Sequence, residues 1–242
     1  MSTLRKSEDK AVTNTLLSSY CPPAIKDARD KQDALLTERY RGRRLAIADV
    51  GCGDGYHGSL FGPSCTAYHG FEIVPELAGM TRERWQREGL HHAEVFEGDV
   101  ANAPLQDEFY DLVFCLYFTP GNFREKSADL NIYTDEYLDR NPRFIGIFSR
   151  FYDALKHGGG MFFTVYKDVP EAEAAQIDFY EHTGQHVVTP PGSRFVATAE
   201  NFWSVRFAEA SMLSNLGAFG IAPSHVKFHD LNTISWLVEA RK

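Results

Sequence analysis

Residues 49–55, Asp-Val-Gly-Cys-Gly-Asp-Gly, decide the fold of this 242-residue chain. They close a short apolar run that begins at Leu45, and such a run predicts a buried strand that ends in a glycine-rich loop. Glycine lets a backbone turn sharply and approach a ligand closely where the next helix begins. The stretch therefore predicts a strand, a ligand-binding loop and a helix in succession.

The spacing of the glycines fits two kinds of loop. Gly51, Gly53 and Gly55 form GxGxG, whereas Gly53, Gly55 and Gly58 form the GxGxxG of dinucleotide enzymes. In the second case Asp49 would lie inside a buried strand, where an unpaired carboxylate is costly. In the first case Asp49 ends the strand and accepts hydrogen bonds from a cationic ammonium group. An amino-acid-bearing cofactor has that group, so the pattern favours S-adenosylmethionine over a dinucleotide.

Further strands and helices alternate downstream of this loop. We predict helices near 75–88 and 143–157, and strands at Ala67 to Phe71, Ala93 to Phe96, Leu112 to Phe118 and Met161 to Tyr166. Alternation of this kind is typical of a parallel sheet with crossover helices. The last two predicted strands, 226–229 and 233–240, are separated by a tight turn, which indicates an antiparallel hairpin at the sheet edge.

Three segments lie outside this alternation. Residues 1–44 favour helix and are interrupted at Cys21-Pro22-Pro23, which predicts two helices that form a lid in a single domain spanning 1–242. Polar stretches at 121–142 and 168–200 follow the ends of strands, where open α/β sheets bind ligands. We interpret these two stretches as inserted loops on the substrate side.

Composition limits the classes of partner. The net charge of −8 argues against a nucleic-acid track, and the basic cluster at 39–44 is interpreted as a solvated helix end. No run approaches ~18 apolar residues, and no secretory signal is visible, so we expect a cytoplasmic protein without a membrane partner. The four cysteines are far apart with no ligand spacing, which predicts reduced thiols and no metal site.

Five motifs in order resemble the class I S-adenosylmethionine-dependent methyltransferases. The segment ADVGCGDG at 48–55 resembles their first motif, and Glu72 lies where family members hold the ribose hydroxyls with a carboxylate. Asp99, with Val100 beside it, lies where the family places an acid that meets the adenine amino group. Residues 111–117 resemble the fourth-strand motif, and 155–163 resemble the LxPGG turn before the fifth strand, with His157 in place of proline.

The resemblance implies a fold, a cofactor and a set of binding residues. The implied fold is α/β and Rossmann-like, with a seven-stranded, mostly parallel sheet, a C-terminal antiparallel hairpin and helices on both faces. The implied cofactor is S-adenosyl-L-methionine, with S-adenosyl-L-homocysteine as product. The residues that the resemblance assigns to the cofactor are Asp49, Gly51, Gly53, Gly55, Glu72, Ile73, Asp99, Val100 and Leu116.

Two other motifs suggest different enzymes. Tyr152 and Lys156 spell the YxxxK pair of short-chain oxidoreductases, but the TGxxxGxG loop of those enzymes is absent and the triple glycine at 158–160 stops the helix early. His157 and these glycines spell the oxyanion loop of some esterases, yet no G-x-S-x-G elbow supplies a nucleophile. An NAD(P)-dependent oxidoreductase and a non-catalytic adenosyl-ligand-binding protein remain the alternatives.

Methyl transfer needs the acceptor, the methyl carbon and the sulfur in line, and holding that geometry supplies much of the rate. Tyr117 is the leading catalytic candidate because of its position after the fourth predicted strand, followed by His57 and Asn122. We expect the acceptor to be a small molecule methylated on O or N. Aromatic residues around the insertions suggest an aromatic or amine-bearing acceptor. A homodimer is an open alternative to a monomer.

Overall fold

The computed structural model describes residues 3–127 and 129–242 of the chain. The chain begins with helices α1 (Thr3–Leu17) and α2 (Pro23–Tyr40), which flank the predicted break at Cys21-Pro22-Pro23. Pro23 occupies the first position of α2, where the missing amide hydrogen leaves no helical hydrogen bond unmade.

The strands that follow are β1 (Ala46–Val50), β2 (Ala67–Glu72), β3 (Ala93–Glu97), β4 (Tyr110–Cys115), β5 (Leu155–Tyr166), β6 (Phe195–Ala197), β7 (Trp203–Val205), β8 (Val226–Asn232) and β9 (Ser235–Arg241). A seven-stranded sheet has the order β3-β2-β1-β4-β5-β9-β8. Strands β1 to β5 are parallel, and β9 runs antiparallel to both β5 and β8. The predicted fold class is thereby confirmed.

Helices cover both faces of the sheet. The remaining helices are α3 (Tyr56–Phe61), α4 (Pro75–Arg87), α5 (Asp135–Asp139), α6 (Pro142–Asp153), α7 (Pro170–His182) and α8 (Glu209–Gly217). Ala48 and Val113 pack with α6 and α8 on one face, whereas Ile47 and Leu112 pack with α2, α4 and α7 on the other. Alternate residues of the central strands are therefore buried on opposite sides. Within the described ranges, no helix has the length and apolarity to cross a membrane.

Two predicted boundaries in the second half of the sheet are wrong. The helix predicted over 143–157 ends at Asp153, and Gly158 to Gly160 lie inside β5, because Leu155 is already buried opposite Tyr110 of β4. The strand predicted to reach Phe118 ends at Cys115. The hairpin is confirmed, but its turn is at residues 233–234 because β8 extends to Asn232.

The segments interpreted as inserted loops contain regular structure. Residues 168–200 include α7, a helix of 13 residues with Pro170 at its first position, so the prediction of a loop there is wrong. β6 follows α7 and pairs with β7 in a separate two-stranded sheet. Residues 121–142 contain a short 3-10 turn at 130–132 and helix α5.

Candidate active site

The glycine loop leaves the carboxyl end of β1 in a conformation that favours glycine. Gly51, Gly53 and Gly55 have φ angles of +73°, +59° and +81°. The amide of Gly51 donates a 2.8 Å hydrogen bond to the Phe71 carbonyl, which ties the loop to the end of β2. A Cβ atom at Gly51 would lie 2.5 Å from Cγ2 of Thr119, in the segment after β4. The loop is thus held between the ends of two strands.

Asp49 lies within β1, one residue before its end, and not at the end of the strand as the sequence argument assumed. Its side chain is buried, with 1% exposure, and Oδ2 accepts a 2.8 Å hydrogen bond from the Tyr68 hydroxyl. Burial raises the pKa of Asp49, while the nearby His57 and the Tyr68 hydroxyl act in the opposite direction. The Tyr68 hydroxyl and an opening onto a cavity make the carboxylate tolerable inside a buried strand.

Glu72 ends β2 and reaches back to the glycine loop. Its two carboxylate oxygens accept 2.9 Å hydrogen bonds from the amides of Gly53 and Val74. Burial raises the pKa of Glu72 to about 7, although these backbone amides favour the charged form. A buried carboxylate with a pKa near neutrality is characteristic of functional sites.

Asp99 follows β3 and caps a 3-10 turn at 100–102, where it accepts a 3.0 Å hydrogen bond from the Ala101 amide. Arg143 of α6 donates hydrogen bonds to both of its carboxylate oxygens. Asp99 therefore caps this turn, and it also borders a cavity together with Ile73 and Val100.

Two adjoining cavities lie over the carboxyl ends of the strands, with volumes of about 540 and 240 Å³. Glu72, Ile73, Asp99 and Val100 line the larger cavity. The smaller cavity is lined by Asp49, Gly53, Leu116 and His57 among others. Both cavities share Leu16, Arg29, Gly51, Tyr117 and Thr119. Of the residues predicted to bind the cofactor, Gly55 alone lines neither cavity. It is the residue directly before α3, and its carbonyl accepts a 2.9 Å hydrogen bond from the Trp85 indole.

Tyr117 lies at the junction of the two cavities and is held by a contact that the sequence did not reveal. Its hydroxyl donates a 2.5 Å hydrogen bond to Asp33 of α2, and the His57 ring lies 3.1 Å from the same carboxylate. Gln32 also donates to Asp33. Asp33 belongs to no motif, so only the packing of α2 over β4 identifies it.

Burial and the Asp33 carboxylate raise the pKa of Tyr117 far above that of a free tyrosine. The phenol is consequently a hydrogen-bond donor at neutral pH and not a base. Tyr117 and Phe118 have φ angles of +52° and +67°, a pair of left-handed residues that is unusual for side chains other than glycine. Strain of this kind is concentrated at functional sites.

Asn122 closes a 3-10 turn at 119–122 and lines the larger cavity. Its Oδ1 is buried and has no hydrogen-bond partner among the described residues. Tyr166, at the end of β5, stacks on Phe118 with ring centroids 3.8 Å apart in the same cavity. Asn122 therefore offers an amide oxygen to a ligand, whereas His57 borders only the smaller cavity.

Helix α1 forms a wall of the larger cavity and contacts both inserted segments. Arg5 donates to the Ile73 carbonyl, and Glu8 forms an ion pair with Lys126 of the first segment. Thr15 accepts a 2.6 Å hydrogen bond from Gln185 of the second segment. The predicted lid thus lies against Ile73, which is predicted to bind the cofactor, and against both insertions.

The residues of the competing motifs lie elsewhere. Lys156, at the start of β5, forms a 2.9 Å ion pair with Asp111, and Tyr152 packs on Phe219. Neither lines the two cavities at the opposite ends of the strands. In the described ranges, no group of three or more His, Cys, Asp or Glu residues is placed to hold a metal ion.

Residues 47–159, which contain the glycine loop, Glu72, Asp99 and Tyr117, match a family model described as a methyltransferase domain. No curated protein sequence matches the chain. The sequence match therefore covers the glycine loop and the strand ends that border the two cavities.

Solved methyltransferase structures share the fold. The DhpI–SAH complex is 15% identical with a TM-score of 0.63, covering 98% of this chain and 96% of that one. Magnesium protoporphyrin IX methyltransferase from Synechocystis PCC 6803, with bound SAH, is 15% identical with a TM-score of 0.57 over 96% and 93%. A Burkholderia thailandensis 1,6-didemethyltoxoflavin-N1-methyltransferase is 15% identical with a TM-score of 0.56 over 91% and 78%. Residues 47–159 therefore match the methyltransferase-domain family, and the chain as a whole shares the fold of these solved structures.

Proposed function

We propose that the protein transfers the methyl group of S-adenosylmethionine to an O or N atom of a small molecule. The observation that carries this proposal is the placement of Glu72, Asp49 and the open glycine loop on two adjoining cavities at the carboxyl edge of the sheet. Ligands of open α/β sheets bind at that edge. The structures of DhpI and of the magnesium protoporphyrin IX enzyme, which contain SAH, support the same cofactor.

The cofactor would be divided between the two cavities. Asp49 would accept hydrogen bonds from the ammonium group of the methionine end, beside Gly51 and Gly53 in the smaller cavity. Glu72 would accept hydrogen bonds from the ribose hydroxyls in the larger cavity, next to Asp99. When bound, the cofactor supplies an electrophilic methyl group on a positively charged sulfur.

The acceptor would occupy the remainder of the larger cavity. A volume of about 540 Å³ lies within the usual size of small-molecule sites, which is roughly 300–1,000 Å³. Asn122 would accept a hydrogen bond from the acceptor, and Tyr117, whose hydroxyl hydrogen is donated to Asp33, would position it by ring contact. Because much of the rate of an in-line displacement comes from orientation, no strong base is required of these residues.

Calorimetric titration tests the cofactor assignment. Purified protein is titrated with S-adenosylmethionine, with S-adenosylhomocysteine and with NADH, and the Gly53→Arg variant provides a blocked loop. We expect micromolar binding of the adenosyl ligands that is lost in the variant, and no binding of NADH. Binding of NADH alone would overturn the proposal.

A second measurement separates an enzyme from a non-catalytic binding protein. Protein that binds S-adenosylmethionine is incubated with pools of small O- and N-nucleophiles, and S-adenosylhomocysteine release is followed. Release that depends on one acceptor and is lost in Gly53→Arg supports catalysis. Tight binding of the cofactor without release from any pool would favour the binding protein.

A further inference from the structure

The larger cavity contains a buried arginine that has no carboxylate partner among the residues that the structure describes. Arg124 is 5% exposed, and its guanidinium donates hydrogen bonds to the Tyr133 hydroxyl (2.8 Å) and to the carbonyl of Asn201 (3.0 Å). It also donates to the side-chain oxygen of Asn201, but its Nε is buried without any partner among the described residues. All of its partners within the described ranges are neutral, so no carboxylate there forms an ion pair with Arg124.

A second guanidinium lies at the junction of the two cavities. Arg29 of α2 rests over the ring of Tyr117, 4.7 Å from its centroid, and 5.8 Å from that of Phe179. Within residues 3–127 and 129–242, no oxygen accepts a hydrogen bond from its guanidinium, and its Nε is buried. The neighbouring acid, Asp33, already accepts from Tyr117 and Gln32.

The other charges along the larger cavity are paired or lie at the cofactor side. Its remaining cations form ion pairs, namely Arg5 with Asp9, Lys126 with Glu8 and Arg143 with Asp99. Glu72 is held by the amides of Gly53 and Val74, and Glu125 is exposed. Arg29 and Arg124 are therefore the cations of this cavity that form no ion pair among the described residues.

Aromatic rings line the same region. Phe118 stacks on Tyr166, and Tyr180 meets Phe202 edge-on with centroids 4.9 Å apart. These rings and Phe179 all line the larger cavity. Rings of this kind bind the apolar body of a ligand, and only a few polar groups fix its orientation.

We propose that the methyl acceptor carries an oxyanion, a carboxylate or a phosphate, that binds Arg124 with Arg29 as the second cation, while its apolar body packs on the rings. This inference rests on the proposed methyltransferase function. A guanidinium suits both oxyanions because its fork of N–H donors matches their paired oxygens. Two guanidinium groups without an ion-pair partner among the described residues would repel an ammonium group, so the amine-bearing acceptor suggested by the sequence is disfavoured.

A matched set of probes tests this charge preference. The wild-type protein, saturated with S-adenosylhomocysteine, is titrated with 4-hydroxyphenylacetate, its neutral amide 4-hydroxyphenylacetamide, tyramine and phenyl phosphate, and binding is followed by NMR. We expect an anionic probe to bind at least about tenfold more tightly than the amide, and tyramine to bind least, since hydrogen bonds to charged groups are the stronger ones. Whether the carboxylate or the phosphate binds better distinguishes the two oxyanions.

Variants locate the preference. In Arg124→Gln the dissociation constants of the anion and the amide should differ by no more than about twofold. In Arg29→Gln the ratio of these dissociation constants should be smaller than in the wild-type protein by about threefold or more. Arg194→Gln is the matched control, because Arg194 bridges Asp135 and Asp139 and lines neither cavity. In addition, inorganic phosphate should displace the anionic probe from the wild-type protein, a measurement that does not depend on the folding of any variant.

Several outcomes overturn the inference. The inference is wrong if the amide binds as tightly as both anions, or if no anion binds. It is also wrong if folded Arg124→Gln still binds the anion more tightly than the amide. If Arg29→Gln instead weakens S-adenosylhomocysteine and keeps the anion preference, the role of Arg29 toward the acceptor is overturned. Failure of the wild-type protein to bind S-adenosylhomocysteine contradicts the proposed function, and the probe comparison is then run without it.

Discussion

The hydroxyl of Tyr117 donates a hydrogen bond to the carboxylate of Asp33, which precedes it by 84 residues in the chain. The bond joins the N-terminal helix α2 to the segment that leaves β4, where two successive residues have left-handed backbone angles. His57 contacts the same carboxylate, so Asp33 links α2 to Tyr117 after β4 and to His57 of α3 at the junction of the two cavities. A helix that precedes the sheet in sequence therefore helps to shape the end of its fourth strand.

Replacing Tyr117 by Phe removes this bond while keeping the ring. We expect the free energy of unfolding to fall by about 1–2 kcal/mol, because the mostly buried Asp33 loses a donor. Urea denaturation of Tyr117→Phe, Asp33→Asn and the double variant measures the coupling, which should be about 1 kcal/mol. Additive effects in the double variant would show that the two side chains do not stabilise each other.

The pKa of Glu72, raised to about 7, predicts a pH dependence of cofactor binding. Ribose hydroxyls donate hydrogen bonds to the ionised carboxylate, so protonation of Glu72 competes with binding. We expect the affinity for S-adenosylhomocysteine to fall about tenfold between about pH 8 and about pH 6. Calorimetry across this range measures the change, and Glu72→Gln should bind weakly with little dependence on pH.

The same group affects the stability of the ligand-free protein with the opposite sign. Its pKa is raised in the folded protein from an ordinary value of 4.5, so the folded state binds the proton more tightly than the unfolded chain does. The stabilising contribution of protonated Glu72 is largest below about pH 4.5 and decreases as the pH rises through about 7. Thermal unfolding of wild type and Glu72→Gln should therefore differ more at neutral than at acidic pH; a constant difference would be evidence against this assignment.

Gly51→Ala tests the contact between the glycine loop and the segment after β4. A Cβ atom there would lie 2.5 Å from Cγ2 of Thr119 on a backbone with φ of +73°. We expect a loss of about 1–3 kcal/mol in unfolding free energy from strain and crowding. In a Thr119→Ser background, which lacks Cγ2, the cost should be smaller by about 1 kcal/mol. Equal costs in both backgrounds would rule out the contact.

Hydrogen exchange tests whether α1 covers the bound cofactor. Arg5, Glu8, Asp9, Val12 and Leu16 of this helix line the cavity next to Glu72. S-adenosylhomocysteine should slow amide exchange in residues 3–17 by about tenfold, because binding reduces local opening of the helix. Residues of α8, which line neither cavity, serve as the reference. Exchange in α1 that is unchanged by the ligand would contradict the lid role.

Sequence reasoning located the residues proposed for the cofactor better than those proposed for the acceptor. Gly51, Glu72 and Asp99 lie at or just after the ends of predicted parallel strands. Their common location at the carboxyl edge of the sheet can therefore be inferred from the sequence alone. Asp33, Arg29 and Arg124 carry no such pattern. Their positions depend on how α2 and the first inserted segment pack over the sheet, which is tertiary information.

The errors in secondary structure also have physical causes. The triple glycine at 158–160 predicts the end of a helix. In the structure β5 already begins at Leu155, which is buried and pairs with Tyr110 of β4, so the glycines lie inside the strand. The polar composition of residues 168–200 predicts a loop, but Pro170 begins helix α7 and the helix buries Phe179 and Tyr180. In both places tertiary packing outweighs local composition.

Helix α1 borders the residues proposed for the cofactor and touches both segments that surround the acceptor region, through Lys126 and Gln185. Helix α1 would then contact the binding regions of both the cofactor and the acceptor. Exchange of either ligand would disturb the enclosure of the other, so the order of substrate entry and product release would depend on this helix. A chimera that takes new insertions from a relative would have to take α1 with them.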